Sequence, residues 1–564
     1  MAIDIDKELA DFSDSLLWPA AASQVSPLAV PGGLHLGGDL GSDFTERYVD
    51  ILPSGWDVLS LSLSADNSEM IVSKLRKGRV PFLLRLPLRR SGPGDDDDEE
   101  QFTFAEGRDE MKEIIRLTNE SAHAARSQND RESRREWWRR RESLDRRLKT
   151  LLQNMENVWF GGFRGVFSRA LPCCDEDDYF SRFRRSFEGL LDKHLPSRQK
   201  GGIGGGGGAS APRLTLHEDV LALFVGLGDM QDQECPEDML MDLLYFVVDI
   251  LQFQGERNAY DEIDFDIMVV ETLDAVRGYH QSVRNGGKKA SSSSQHTILV
   301  LDKALHCFPW ESLAMLHGLP ISRVPSLECL RDRILQLREG QEQSIDGRSA
   351  VVVVDGSKGS CIINPAGDLK TTQRDFEQRL CRLSNWTSVV NREPSEEEFK
   401  DSLASKQVFL YFGHGSGAQY IRARTIRRLS RCAVTFLMGC SSGTLTEAGE
   451  YEPYGMPMNY LHAGSPALVA TLWDVTDKDI DRFAKSALEN WGLIEEEYDD
   501  DENMPERFAE SKKHTGAKSN TSDGGSFASR VALDEAVDRS RSACVFRYLT
   551  GAAPVVYGVP VVLE

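Results

Sequence analysis

Hydrophobic positions along this chain follow two rhythms. Between Gln101 and Tyr279, apolar residues recur every three or four positions on a heavily charged background. They do so in DEMKEIIRLTNESAHAA, REWWRRRESLDRRLKTLLQNMENVWF and DYFSRFRRSFEGLLDKHL, and again over Leu214–Gln254 and Asp261–Tyr279. That spacing predicts amphipathic helices, the first two long enough to pack as a helical hairpin. Ahead of them, Trp56–Ser64 alternates apolar and polar residues and Arg79–Leu88 is rich in apolar ones, which predicts two strands. A helix over Ser68–Lys77 is expected to join them in a βαβ-like opening. From Thr297 onward, short apolar runs alternate with helical patterns. Thr297–Asp302, Ala350–Asp355, Val408–Phe412, Ala433–Met438, Pro466–Trp473 and Ala553–Leu563 read as strands, the last as one or a pair. Leu327–Leu337, Thr371–Leu383, Ser395–Leu403, Asp477–Trp491 and Ala532–Tyr548 read as helices. Such alternation predicts an α/β fold with a mostly parallel sheet.

Composition and charge divide the chain further. At 564 residues it exceeds what one core supports. Ser91–Glu100 (SGPGDDDDEE), Gly201–Ser210 (GGIGGGGGAS), residues 285–295 and Glu495–Ser526 read as loops or linkers. Two domains are therefore expected, 1–290 and 291–564. The basic run Arg134–Arg147 reads first as a solvated face paired with Glu132, Glu136 and Glu142, and second as a dock for an acidic or phosphorylated segment. A formal charge of −23 argues against a nucleic-acid binder and against an anionic-membrane protein. Ten cysteines without metal-ligand spacing, an acidic start and no long apolar run point to a reduced intracellular protein.

Chemistry concentrates between Lys406 and Thr446. The runs Val408–Phe412 and Ala433–Met438 each end in glycine plus a reactive side chain, Gly413-His414-Gly415 and Gly439-Cys440-Ser441. One crossover between them makes them neighbouring parallel strands, so His414 and Cys440 emerge together at the carboxyl edge of a sheet. A thiol beside an imidazole supplies a nucleophile and a base. The N–H groups of Gly415 and Cys440 are positioned to face a developing oxyanion. Asp474, Asp477, Asp479 and Asp481 cluster after the next strand, where helix capping explains most of them; a carboxylate there also suits a cationic substrate side chain. Two other classes compete. Gly439–Gly443 fits G-x-S-x-G with Ser441 as nucleophile, but His462 follows too closely and His514 lies in a disordered-looking stretch. A non-catalytic scaffold or nucleotide-binding module lacks its glycine motifs here.

The segments YFGHGSGAQY, FLMGCSSG and LVATLWDVTDKDIDRF resemble the protease core of separase, as do LDKALHCFPWESL and YLTGAAPVVYGVP. The resemblance covers nearly all of Thr297–Leu563. It implies a caspase-like cysteine endopeptidase, with a mostly parallel sheet flanked by helices and a preceding substrate-binding (pseudo-protease) domain carrying the helical insert. Cys440 would be the nucleophile and His414 the general acid/base. Cleavage would follow Arg in a Glu-x-x-Arg context of the kleisin subunit of cohesin, triggering sister-chromatid separation. Securin would be the pseudosubstrate inhibitor. The resemblance makes one or two of the acids Asp474, Asp477, Asp479 and Asp481 the holder of the substrate Arg; Asp481, one turn into the helix, is favoured by position, followed by Asp474 at the strand edge, with Asp477 in the same cluster and main-chain groups of Met438 and Ser441 lining the pocket. It implies no cofactor or metal, no direct nucleic acid or membrane contact, a place in cytoplasm and nucleus, and a large upstream region.

Overall fold

Strands β1 (Trp56–Leu63), β2 (Glu69–Leu75) and β3 (Phe82–Pro87) form an antiparallel meander. The helix expected over Ser68–Lys77 is therefore a strand. Met70, Val72 and Lys74 are buried while Ile71 and Ser73 are less so, a period of two. Pairing on both sides and β-branched Ile71 and Val72 outweigh the helical reading. The alternation is hidden in the sequence because one inward residue is charged: Lys74 donates to the carbonyls of Val166 (2.5 Å) and Ser168 (2.9 Å).

The computed structural model describes residues 43–88, 102–124, 130–168, 177–199, 216–230, 236–285, 295–339, 351–449, 451–495 and 530–564. The expected loop at 91–100, the glycine linker at 201–210, most of 285–295 and residues 496–526, with His514, lie outside them. Contacts gather residues 47–564 into one unit, and residues 43–46 fall in another.

Helices α1 (Phe104–Ala124) and α2 (Arg131–Asn154) are the expected hairpin. Asp130 caps α2 by accepting from the amides of Glu132 and Ser133. Arginines of α2 find partners across the hairpin, Arg147 with Glu110 (2.7 Å) and Arg140 with Glu120 (3.4 Å), in addition to its solvated face. Four further helices, α3 (Asp177–His194), α4 (Glu218–Val225), α5 (Pro236–Phe253) and α6 (Phe265–Asn285), bury Phe187, Phe224, Leu243 and Val276 in a helical cluster.

The chain then alternates. In order come β4 (His296–Leu301), β5 (Ile321–Val324), α7 (Leu327–Glu339), β6 (Val352–Val354), β7 (Gly359–Ile363), α8 (Lys370–Cys381), β8 (Thr387–Val390) and α9 (Glu396–Ser405). They are followed by β9 (Val408–Phe412), α10 (Ala423–Arg427), β10 (Val434–Leu437), β11 (Thr446–Ala448), β12 (Tyr451–Tyr454), α11 (Met456–His462), β13 (Ala467–Thr471), α12 (Asp477–Trp491), α13 (Leu533–Ser540), β14 (Pro554–Gly558) and β15 (Val561–Leu563). Eleven strands join in one sheet, ordered β3-β2-β1-β4-β5-β14-β13-β10-β9-β7-β8. Every neighbouring pair is parallel except within the meander and at β13–β14. The fold is thus α/β, a large mostly parallel sheet flanked by helices. Strand β1 lies parallel to β4, so residues from both sides of position 290 share the sheet.

Local chemistry explains most element ends. Ser395 and Glu398 form a reciprocal capping box at α9. Thr371 does not cap α8, whose N-terminus has no side-chain cap. In β5 (ISRV), β7 (GSCII) and β8 (TSVV) polar or small residues break the apolar run, which hides them in the sequence, and β11 pairs antiparallel with β12. Residues 553–563 do split into two strands, β14 and β15, in different sheets. Glu311 grips the buried guanidinium of Arg323 at 2.6 Å.

Candidate active site

All five residues of β9 and all four of β10 are buried, and the strands run parallel in register from Val408↔Val434 to Tyr411↔Leu437. Both leave the sheet at its carboxyl edge, with the Gly413-His414-Gly415 loop beside the Gly439-Cys440-Ser441 loop. The contact is close. A Cβ on Gly439 would lie 2.0 Å from the Gly415 carbonyl oxygen and 2.5 Å from that of Gly413. Only glycine fits, because backbone on the other side cannot yield. Gly415 itself has φ +60°, the left-handed region that glycine enters without strain. Replacing Gly439 by alanine is expected to push the two loops apart. It should destabilise the fold by about 1–3 kcal/mol and abolish activity; chemical denaturation and peptide turnover read the two effects.

A sharp turn follows. Ser441 adopts φ +53°, unusual for a residue with a side chain. The turn is held to the end of β13: the Ser441 amide donates to the Trp473 carbonyl (3.2 Å) and the Gly443 amide to that of Thr471 (2.7 Å). The Ser442 hydroxyl donates to the Leu437 carbonyl (2.7 Å). Cys440 is left at the apex, half-buried, its Sγ 3.4 Å from the Val475 carbonyl. Burial pushes the Cys440 thiol up to about 11, and the charges of Asp474 and Asp477 push the same way. The resting site therefore holds a thiol, not a thiolate. Neither the Gly415 nor the Cys440 N–H donates to a backbone carbonyl among the described residues.

His414 is half-exposed, and its Nε2 meets both carboxylate oxygens of Asp368, at 3.0 and 2.9 Å. Asp368 lies in the Asn364–Asp368 turn after β7, next to β9 in the sheet. A carboxylate on one imidazole nitrogen fixes the ring's orientation and tautomer. The His414 carbonyl accepts from the buried Tyr411 hydroxyl (3.0 Å), which steadies the loop. Asp368 is a partner of His414 that the sequence reading lacked.

The acids after β13 divide into distinct roles. Asp474 accepts from the Ser441 hydroxyl (2.5 Å) and lies 3.2 Å from His123 Nε2 of α1, and its amide donates to Asn119 (3.0 Å). Asp479 is buried, its carboxylate accepting the amides of Val545 (2.7 Å) and Phe546 (3.2 Å). Asp481 is buried one turn into α12 and accepts from Thr372 Oγ1 of α8 (2.7 Å). Burial pushes its carboxyl up to about 7, with Asp477 and Asp375 adding to the effect despite the Thr372 bond. The charge of Asp477 bears on both Cys440 and Asp481. Met438 is buried with its amide on the Tyr411 carbonyl (2.9 Å), and Cys432 is buried at the far end of its strand. In the hydrolase alternative, Ser441 would need a histidine base backed by an acid. Here the Ser441 hydroxyl meets the acid itself, with His123 on the acid's other side.

These features define an α/β protein whose site lies at the carboxyl edge of a mostly parallel sheet. Residues 65–480 match the family profile described as separin, protease domain. The chain is 60% identical over 562 residues to separin of Emericella nidulans, covering 99% of this chain and 24% of that protein. It is 39% identical over 517 residues to separin of Schizosaccharomyces pombe, covering 92% and 25%. The Saccharomyces cerevisiae separase in a crystallised separase–securin complex superposes with a TM-score of 0.74 at 31% identity, covering 93% of this chain and 31% of that one. The chain belongs to the separin, or separase, protease-domain family. It spans about a quarter of the length of these curated relatives.

Proposed function

We infer that this chain is the proteolytic part of a separase, a cysteine endopeptidase that cleaves after Arg in a Glu-x-x-Arg context of the kleisin subunit of cohesin and so triggers sister-chromatid separation. The observation that carries the reading is the contact between the His414 and Cys440 loops on neighbouring parallel strands. Family membership supports the reaction class, and the securin complex of the yeast relative supports securin as an inhibitory partner. The division into a substrate-binding region, 1–290, and a protease region, 291–564, belongs to the same proposal, as does a site of action in cytoplasm and nucleus.

The resting thiol sets the first step. Cys440 loses its proton to His414 as Sγ attacks the scissile carbonyl, and the carbonyl electrons move to oxygen facing the Gly415 and Cys440 amides. His414 returns the proton to the leaving amine as the C–N bond breaks. Water, deprotonated by His414, then attacks the thioester and releases the acid and the thiol. Asp368 stabilises the imidazolium that forms twice in this cycle. Asp481 is the favoured acid for the substrate Arg, because Asp474 already serves Ser441 and His123. His414→Ala is expected to lower kcat by about 10²–10⁴-fold with KM little changed, read by steady-state cleavage of a Glu-x-x-Arg fluorogenic peptide. An unchanged kcat would remove His414 from the mechanism.

A further inference from the structure

The φ of +53° at Ser441 is unfavourable for a residue with a side chain and persists only where the surroundings fix it. Cys440 directly precedes it, so whatever holds Ser441 also aims the sulfur. The Ser441 amide donates to the Trp473 carbonyl (3.2 Å) and its hydroxyl to Asp474 Oδ1 (2.5 Å). Both acceptors lie just past β13.

Asp474 is in turn held from outside the sheet. Its side chain is only 11% exposed, and a carboxylate placed so deeply needs partners. While Oδ1 accepts from Ser441, Oδ2 lies 3.2 Å from Nε2 of His123, in the last turn of α1. One turn earlier in that helix, Asn119 Oδ1 accepts the Asp474 backbone amide at 3.0 Å. Asn119 and His123 are four positions apart and share one face of α1. That face therefore grips both the main chain and the side chain of Asp474, and Asp474 grips the residue after Cys440.

The hairpin has other anchors. Asp145 of α2 accepts the amides of Tyr548 (2.9 Å) and Leu549 (2.7 Å), and Trp138 packs on Phe546 with ring centres 5.2 Å apart. Truncating Asn119 and His123 should thus release Asp474 while the hairpin stays docked. Charge alone predicts something else for Asp474. Its carboxylate pushes the Cys440 thiol up, so its loss would favour the thiolate and speed the reaction. The geometry predicts a slower one.

Resting on the proposed cysteine mechanism, we propose that Asp474 is a positioning residue for Cys440, held in place by Asn119 and His123, so that the helical hairpin completes the nucleophile turn.

Steady-state cleavage of the Glu-x-x-Arg peptide by the intact chain tests this through kcat, KM and a double-mutant cycle. Asp474→Ala is expected to lower kcat about 10²-fold, the scale of an ångström-sized misplacement, with KM changed by less than about threefold. Asp474→Asn keeps an oxygen for the Ser441 hydroxyl and is expected to recover most of that loss. Asn119→Ala and His123→Ala together are expected to lower kcat about tenfold in the wild-type background, and less than about twofold once Asp474 is alanine, because they act through it. Should Asp474→Ala not fold, Ser441→Ala breaks the same link from its other end, and the hairpin effect is expected to shrink likewise in that background. A KM raised about tenfold or more by Asp474→Ala, an unchanged or faster kcat, no recovery with asparagine, or an equal hairpin effect in both backgrounds would overturn the proposal. Cleavage that survives Cys440→Ala would instead overturn the underlying mechanism, whatever these variants show.

Discussion

Replacing Cys440 by alanine is expected to lower Glu-x-x-Arg peptide cleavage by roughly 10³-fold or more, while the fold survives. The side chain sits half-buried at the apex of a turn whose anchors are the Ser441 and Gly443 amides and the Ser442 hydroxyl, none of which involves the sulfur. Its removal therefore takes away the nucleophile and little packing, and thermal midpoints should agree within a few degrees. Cys440→Ser keeps the size and loses the soft nucleophile, so it is expected to be almost as inactive. Cleavage that continues in both variants would pass the reaction to another group, with Ser441 the first to examine.

Asp481 carries the second large effect, and it acts in two directions. Asp481→Asn is expected to raise KM for an Arg peptide by roughly 10²-fold or more, the cost of leaving a buried guanidinium without its partner. A matched peptide ending in Asp should gain nothing. The same substitution is expected to stabilise the protein. Burial lifts the Asp481 carboxyl from its ordinary value of about 3.9 to about 7, so the folded state binds this proton more tightly than the unfolded one. A raised carboxyl value costs nothing in strongly acid solution and costs progressively more as pH climbs from about 4 to 7. The variant should thus gain roughly 2–4 kcal/mol at pH 8 and match wild type near pH 4, read by denaturation at the two pH values. In the wild type, KM should fall as pH rises through about 7 and Asp481 ionises. A KM independent of both pH and the substitution would move the substrate cation to Asp474.

A carboxyl held at the expense of stability is what a specificity pocket requires. Asp474 and Asp479 lie close in sequence but are tied to neighbours, one to Ser441 and His123 and the other to two backbone amides. Among the described residues Asp481 accepts one hydrogen bond, from the neutral Thr372 hydroxyl, and it is proposed to exchange its proton for a cation.

How much of this the sequence disclosed depends on where each residue's partners lie. Val408–Phe412 and Ala433–Met438 were legible because buried parallel strands read as unbroken apolar runs. Their ends therefore gave His414 and Cys440 as neighbours. The Asp477–Trp491 helix was legible for the opposite reason, a strong amphipathic period. Asp368 was not, because β7 opens on Gly359, Ser360 and Cys361 and runs into a turn that looks like any loop. Thr372 read as part of an ordinary helix start, and its bond to Asp481 joins residues 109 positions apart. Asn119 and His123 lie on a helix whose pattern is fully explained by packing, and only the docked hairpin brings them to Asp474. Lys74 made β2 look helical by placing a charge on an inward position. Local periodicity thus conveyed the strands that launch the site, while the side chains that tune it are assembled by contacts between distant elements.

The measurement that bears most directly on the central claim is labelling of the intact chain with an arginyl chloromethyl ketone, with the adduct located by peptide mass mapping. One adduct on Cys440 is predicted, absent from Cys440→Ala, much slower in Asp481→Asn, and slower again with the matched lysyl reagent. An adduct on Ser441, or equal labelling of wild type and Cys440→Ala, would contradict a thiol endopeptidase that reads arginine through Asp481.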